Sequence, residues 1–269
     1  MAPLAGLHPA SPPAISGAVA VAACAVMAVS YVAVLYAPTV ILRFPPPTSL
    51  RTFLHRRFAC AAVASAASAL ATASLLRVWS LSDFADMLAV FGVRKDHLIQ
   101  AVAIPLFLTS LVYAGSFVTR LWLLASSWGS GDAVEIGCAQ RLAQWIQAAV
   151  ADVMVWRNYV VAPFTEELVF RACMIPLLLC GGFRMSTIIF LSPVFFSLGN
   201  LLCPIIAHIF CNMMGLPVFS SPRTKGAASV AFVAGSISFF WLLFPATIPE
   251  LYSSSFDRCN CWHGFCYWK

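Results

Sequence analysis

The sequence predicts an all-α fold, a polytopic transmembrane helix bundle of about six or seven membrane helices. Three observations carry that reading. Of 269 residues, 61% are hydrophobic and only 10% are charged, where a soluble domain carries about 25% charged residues. The apolar residues gather into runs of about 20, the length a helix needs to cross the hydrocarbon core. The basic residues behind the net charge of +6 stand in short clusters between those runs, as loops and helix ends do. That placement makes the lipid bilayer the partner and excludes a nucleic-acid reading of the positive charge.

Taken in order, residues 1–42 contain no charged side chain. Segment 1–16 is Pro-rich and expected to be disordered. Gly17–Leu42 is expected to be a retained first span, since a basic n-region is missing and the apolar run exceeds the usual 7–15 residues of a signal peptide. A basic loop follows, with Arg43, Arg51, Arg56 and Arg57. Phe58–Leu76 is a second span rich in Ala and Ser, which lets backbones pack closely. Residues 77–97 mix charged and apolar side chains, as an amphipathic interfacial segment does. Leu98–Thr119 is a third span, and 126–141 a polar loop with three glycines. Arg141–Trp156 has amphipathic helical spacing, although Asp152 makes it a poor simple span. Tyr159–Cys180 is a helix with charges, Ser186–Phe219 a long uncharged run, and Ala227–Ile248 the last span. The chain thus divides into 1–16, N-terminal helices and loops over 17–156, a core over 157–248, and a Cys-rich tail over 249–269. Cys24, Cys60, Cys173, Cys180, Cys203 and Cys211 lie in apolar runs, where thiols behave as small hydrophobes, so the ten cysteines do not read as a disulfide framework.

The charges inside apolar sequence need a reason, because each costs several kcal/mol in hydrocarbon, about 2.5–3.5 on insertion scales. Glu166, Glu167 and Arg171 fall in the stretch "PFTEELVFRACMIPLLL". On a helix, Glu167 and Arg171 are four apart with the acid first, the favourable order for a pair. Glu166 lies about 100° further round and is left without a full counter-charge. Burial raises a carboxylate's pKa, which suits a general base that takes a proton from water. The plainer alternative is an ion pair that packs helices together. A second group is His208 and Asn212 in "AHIFCNMMG". They share a helix face and can both donate to a developing oxyanion; a helix–helix hydrogen bond is the plainer alternative.

Together these motifs resemble the type II CAAX prenyl endopeptidases, the Ras-converting enzyme family within the CPBP intramembrane proteases. The family signature E-E-x-x-x-R corresponds to Glu166-Glu167-Leu168-Val169-Phe170-Arg171, and H-x-x-x-N to His208 and Asn212. The flanks "RNYVVAPFTEELVFRACMIPLL", "SPVFFSL" and "AHIFCNMMGLP" are similar as well. The resemblance implies an endoplasmic reticulum membrane enzyme that removes the C-terminal tripeptide from farnesylated or geranylgeranylated CAAX proteins. It also implies roles: Glu166 activates the attacking water, a His in an F-x-x-x-H motif helps hold that water, His208 and Asn212 stabilise the oxyanion, and Glu167 and Arg171 support them. No cofactor is expected, a metal-independent glutamate mechanism being favoured, with zinc as the open alternative.

This chain departs from the pattern in the middle. In "FFSLGN", Phe196 is followed four positions later by Asn200, where the family has His. The family places another membrane crossing between its two His motifs, whereas Asn200 and His208 are separated by about 12 Å of a single helix. The expectation is an internal deletion near 199–201, one hybrid helix over Ser186–Phe219 kinked near Pro204, and impaired peptidase activity. The competing readings are a catalytically inactive protein that binds prenylated proteins or the intact enzyme, and a small transporter using the Glu-Glu-Arg cluster as an ion site. In the tail, Cys259, Cys261, His263 and Cys266 could bind zinc or be acylated.

Overall fold

The computed structural model describes residues 15–80, 88–93, 95, 97–127, 138–184, 187–188, 200–224 and 226–246. Every regular element among them is helical. The first two helices, α1 (Gly17–Val40) and α2 (Leu50–Leu75), are each long and apolar enough to cross a membrane. The Ser16 and Ser49 hydroxyls accept from the Val19 and Thr52 amides at 3.3 and 3.2 Å, satisfying N–H groups that a first turn leaves without a helical partner. Because α2 starts at this cap, it begins before the expected Phe58, and its first turns carry Arg51, Arg56 and Arg57. Its buried stripe is made of small residues, Ala61, Ala64, Ser65, Ser68 and Thr72, which permits close approach of neighbours. Met27 and Tyr31 of α1 pack into the same core.

The third expected span is two helices, α3 (Leu98–Val112) and α4 (Ala114–Ser127), bent by 77° at Tyr113. Side contacts hold the bend. The Tyr113 hydroxyl donates to the Gly215 carbonyl at 2.6 Å, and its ring stands edge-on to Phe210 with centroids 5.6 Å apart. At Gly115, a Cβ would meet the Ala228 and Val218 carbonyl oxygens at 2.6 Å, so only glycine allows that approach. Next comes α5 (Cys138–Ala151), and it stops short of Trp156 because Asp152 breaks it. The Asp152 carboxylate accepts from the Met154 amide at 2.8 Å and starts the next helix.

From residue 153 to 180 helical winding is continuous, and this run is α6. It consists of Val153–Trp156, a π-turn at Arg157–Val161, Ala162–Glu167, a second π-turn at Leu168–Cys173, and Met174–Cys180. It exceeds the length a span requires but carries Arg157, Glu166, Glu167 and Arg171.

The expected single helix over Ser186–Phe219 is not formed. Of the described residues in that run, Leu202–Met214 form the helix α7. Asn200 stands before it with its side-chain oxygen accepting from the Leu202 amide at 3.0 Å, and the Leu201 amide donates to the Gly92 carbonyl at 2.8 Å. Pro204 therefore sits in the first turn, where its missing N–H costs nothing, instead of kinking a longer helix. Gly215, at φ 73°, ends α7. The last helix is α8 (Ala227–Ala246).

Two groups of helices result. Side chains of α1, α2 and α6 share one core, and α3, α7 and α8 share another around Leu108, Cys203, Ala207 and Leu243. They meet where α6 faces α7. Cys24, Cys60, Cys173, Cys203 and Cys211 are free thiols, as expected, whereas Cys180 is disulfide-bonded instead of being a free apolar thiol. Phe196 and the tail group Cys259, Cys261, His263 and Cys266 lie outside the described residues.

Candidate active site

The glutamate pair of α6 sits between its two π-turns, with Arg157 in the first and Arg171 in the second. The first has a local cause: Pro163 has no N–H to give the Tyr159 carbonyl, so α-type bonding cannot run through this point, and the Ala162 amide instead donates to Arg157, five residues back. Wide turns of this kind recur at functional sites.

The first two helices then fix the stretch in place. Thr165 donates its hydroxyl hydrogen to the Val161 carbonyl at 2.7 Å. Its oxygen therefore accepts from the Tyr31 hydroxyl, 2.9 Å away. Ser65 of α2 donates to the Thr165 carbonyl at 3.4 Å. The Tyr31 ring also stands edge-on to Phe170, with centroids 5.4 Å apart. The backbone just before Glu166 is thus held from both α1 and α2.

Glu167 is buried and has two cationic or donor partners. Arg171 Nη1 lies 2.7 Å from Oε2, an ion pair by distance whose N–H is not well directed at that oxygen. Oε1 lies 2.8 Å from Nδ1 of His208, across from α7. A carboxylate only accepts, so Nδ1 is the donor, and Nε2 is the imidazole nitrogen available for other work. Glu166 is half-buried next to this group, and the charges that act on it are those of His208, Glu167 and Arg157. Asn212, one turn beyond His208, donates from Nδ2 to the Asn158 carbonyl at 2.7 Å. One of its two amide hydrogens is spent there.

The structure therefore gathers Glu166, Glu167, Arg171, His208 and Asn212 at the seam between the two helix groups. The Glu167–Arg171 pairing matches the spacing of the sequence. That His208 would close on the second glutamate, and that Asn158 would hold Asn212, are contacts the sequence analysis did not find; neither a hydrophobic period nor a motif reports a backbone carbonyl partner. Tyr31 and Ser65 were missed too, though a Tyr and a stripe of hydroxyls inside apolar runs were the available signal. Asn200 is 2% exposed and engaged with the start of α7. Among the described residues, no three His, Cys, Asp or Glu side chains are grouped as a metal site requires.

Residues 148–201 match the family model for type II CAAX prenyl endopeptidase, Rce1-like. The chain is 44% identical to CAAX prenyl protease 2 of Arabidopsis thaliana over 308 residues, covering 95% of this chain and 98% of that protein. It is 29% identical to CAAX prenyl protease 2 of Rattus norvegicus, over 88% of this chain and 82% of that protein. The protein of the same name from Homo sapiens is 28% identical over 88% of this chain and 83% of its own length. No solved structure matches.

Proposed function

This chain belongs to the type II CAAX prenyl endopeptidases of the Rce1-like family, a family of peptide hydrolases, and from that premise we propose how it acts and why this form acts poorly. Its substrates are farnesylated or geranylgeranylated CAAX proteins of the endoplasmic reticulum membrane, from which it releases the C-terminal tripeptide. The observation that carries the reading is the 2.8 Å contact of His208 with Glu167. It brings a histidine of one helix group onto the glutamate pair of the other, which a packing ion pair within α6 does not need.

The chemistry follows from the donors. Glu166 takes a proton from water, whose oxygen attacks the scissile carbonyl, and returns that proton to the tripeptide's leaving amine as the C–N bond breaks. Charge then develops on the carbonyl oxygen, and stabilising it is the larger part of such catalysis. Asn212 keeps one amide hydrogen for that oxygen. His208 reaches it through Nε2, which requires the imidazolium form while Nδ1 donates to Glu167. Glu167 balances that charge, and Arg171 balances the carboxylates. The donor set supports a mechanism without metal.

Impairment rests on the middle motif. Asn200 stands where the family has His, and its side chain caps α7, leaving water with Glu166 as its ligand. Two findings support a missing length of chain. The family match ends at residue 201. An alignment of 308 positions that holds 95% of a 269-residue chain leaves about 50 positions of the Arabidopsis thaliana relative with no counterpart. The engaged Asn200 also favours a second reading, a membrane protein that retains prenylated tails without cutting them.

The test is tripeptide release from a farnesylated CAAX peptide by membranes holding this chain, its Glu166→Ala variant, and a version with a full-length segment between Leu198 and Leu201. Activity confined to the restored version is expected. Turnover by the unaltered chain that disappears with Glu166→Ala overturns the impairment. Retention of the peptide by every version, with no release from any, favours the binding protein.

A further inference from the structure

A peptidase that releases a C-terminal tripeptide must receive a free carboxylate a fixed distance from the bond it cuts. Three extended residues span about 10 Å, so a cation is needed at about that distance from Glu166. The first turns of α2 supply one. Arg57 is held between two aromatic faces, 5.1 Å from the Tyr36 centroid and 5.3 Å from that of Phe53. Arg56 stacks over Phe44 at 5.7 Å and donates to the Pro45 carbonyl at 2.7 Å. Arg51 lies in the first turn of α2, where the helix dipole favours acids over bases, yet no acidic residue precedes Asp83 in the chain. Among the described residues, Arg57 has no carboxylate partner. Among the described residues this positive charge is fixed in place without an acidic partner, so it suits an anion from outside the chain.

Its distance from the chemistry can be worked along two helices. Tyr36 holds Arg57, and Tyr31, five residues earlier, holds Thr165; five residues of helix rise about 7.5 Å. Along α2, Arg57 precedes Ser65, the other contact of Thr165, by eight residues, about 12 Å. Both paths place the backbone that carries and holds Arg57 about 8–12 Å from the level of Thr165 and Glu166. The charges of Glu166 and Arg57 both act on the Tyr31 hydroxyl. Resting on the substrate class proposed above, we infer that Arg57 binds the free C-terminal carboxylate of the CAAX tripeptide and so sets how many residues lie beyond the cut. Arginine suits this role because its planar fork meets a carboxylate with two hydrogen bonds.

Binding tests this without requiring turnover. The full chain in phosphatidylcholine nanodiscs is titrated with a fluorescent farnesylated CAAX peptide ending in a free acid, and with the same peptide ending in an amide. The unaltered chain is expected to prefer the acid roughly tenfold, the size of one charge-assisted contact. Arg57→Gln should reduce that ratio to about one with amide affinity unchanged, and Arg57→Lys should restore part of it. Equal binding of acid and amide by the unaltered chain overturns the carboxylate site and leaves the substrate reading standing. A ratio that survives Arg57→Gln, or that is lost instead in Arg157→Gln, also overturns it. So does a variant in which both affinities fall together, or one that only loses added phosphatidylserine while its ratio stays. Binding of neither peptide by the unaltered chain removes the substrate reading itself, and this inference with it.

Discussion

Glu167 has two partners, and they should differ in what they contribute to the assembled bundle. Arg171 is four residues further along the same helix, whereas His208 comes from α7. In a membrane, taking the bundle apart separates helices that stay wound, so the Arg171 pair survives in both states and the His208 contact is lost. A hydrogen bond to a charged group contributes about 1.5–3 kcal/mol in proteins. Separated helices in lipid find other partners, which lowers such values to an average of about 0.6 and a maximum of about 1.7. For a buried contact of 2.8 Å on a carboxylate the upper part of that range applies, about 1–1.7 kcal/mol of coupling. The perturbation is a double-mutant cycle of Glu167→Ala and His208→Ala, with a second cycle of Glu167→Ala and Arg171→Ala. The second should give only the roughly 0.2–0.5 kcal/mol of a pair on one helix surface. Reversible unfolding in mixed micelles, followed by tryptophan fluorescence, reads both. A His208 coupling within the roughly 0.3–0.5 kcal/mol scatter of independent sites, or an Arg171 coupling larger than it, refutes the reasoning.

Two further outcomes are expected. Tyr31→Phe removes the donor to Thr165 while keeping the ring on Phe170, so the same unfolding assay should show a loss of about 1 kcal/mol; an unchanged midpoint contradicts the brace. Gly235→Ala places a methyl group against the Leu111 carbonyl where α8 crosses α3, and overpacking of this kind costs about 1–3 kcal/mol. Limited proteolysis should then cut the α3–α4 bend sooner than in the unaltered chain, and equal cleavage rates argue against a tight crossing.

The residues that reveal the fold in the sequence are those whose physics is local. Apolar runs mark both ends of α1, the end of α2 and the start of α8 to within a few residues, whereas α2 starts at Leu50, after the Ser49 cap and eight residues before the expected Phe58. Asp152 is conspicuous in an amphipathic stretch, and it proves to be the cap at a break. The bend at Tyr113 could not be read, since its causes are Gly215 and Phe210, about a hundred residues away. The start of α7 was misread for a related reason. An uncharged run looks like one helix until Asn200 turns its side chain back on the Leu202 amide. Within the site, Glu167 and Arg171 were legible because four residues on a helix is a local relation. His208 on Glu167 was not, because a relation across 41 residues depends on how two groups of helices dock.

The position of Asn200 has a consequence for repair. It stands outside α7, and its buried side chain serves the first turn of that helix. An imidazole substituted there would inherit the position from which Asn200 meets the Leu202 amide. It would also take away the oxygen that starts α7, the helix that carries His208 and Asn212. Exchanging that one side chain therefore trades the start of α7 for an imidazole. On the shortened-chain reading proposed above, a histidine for the seam has to come with an inserted length of polypeptide.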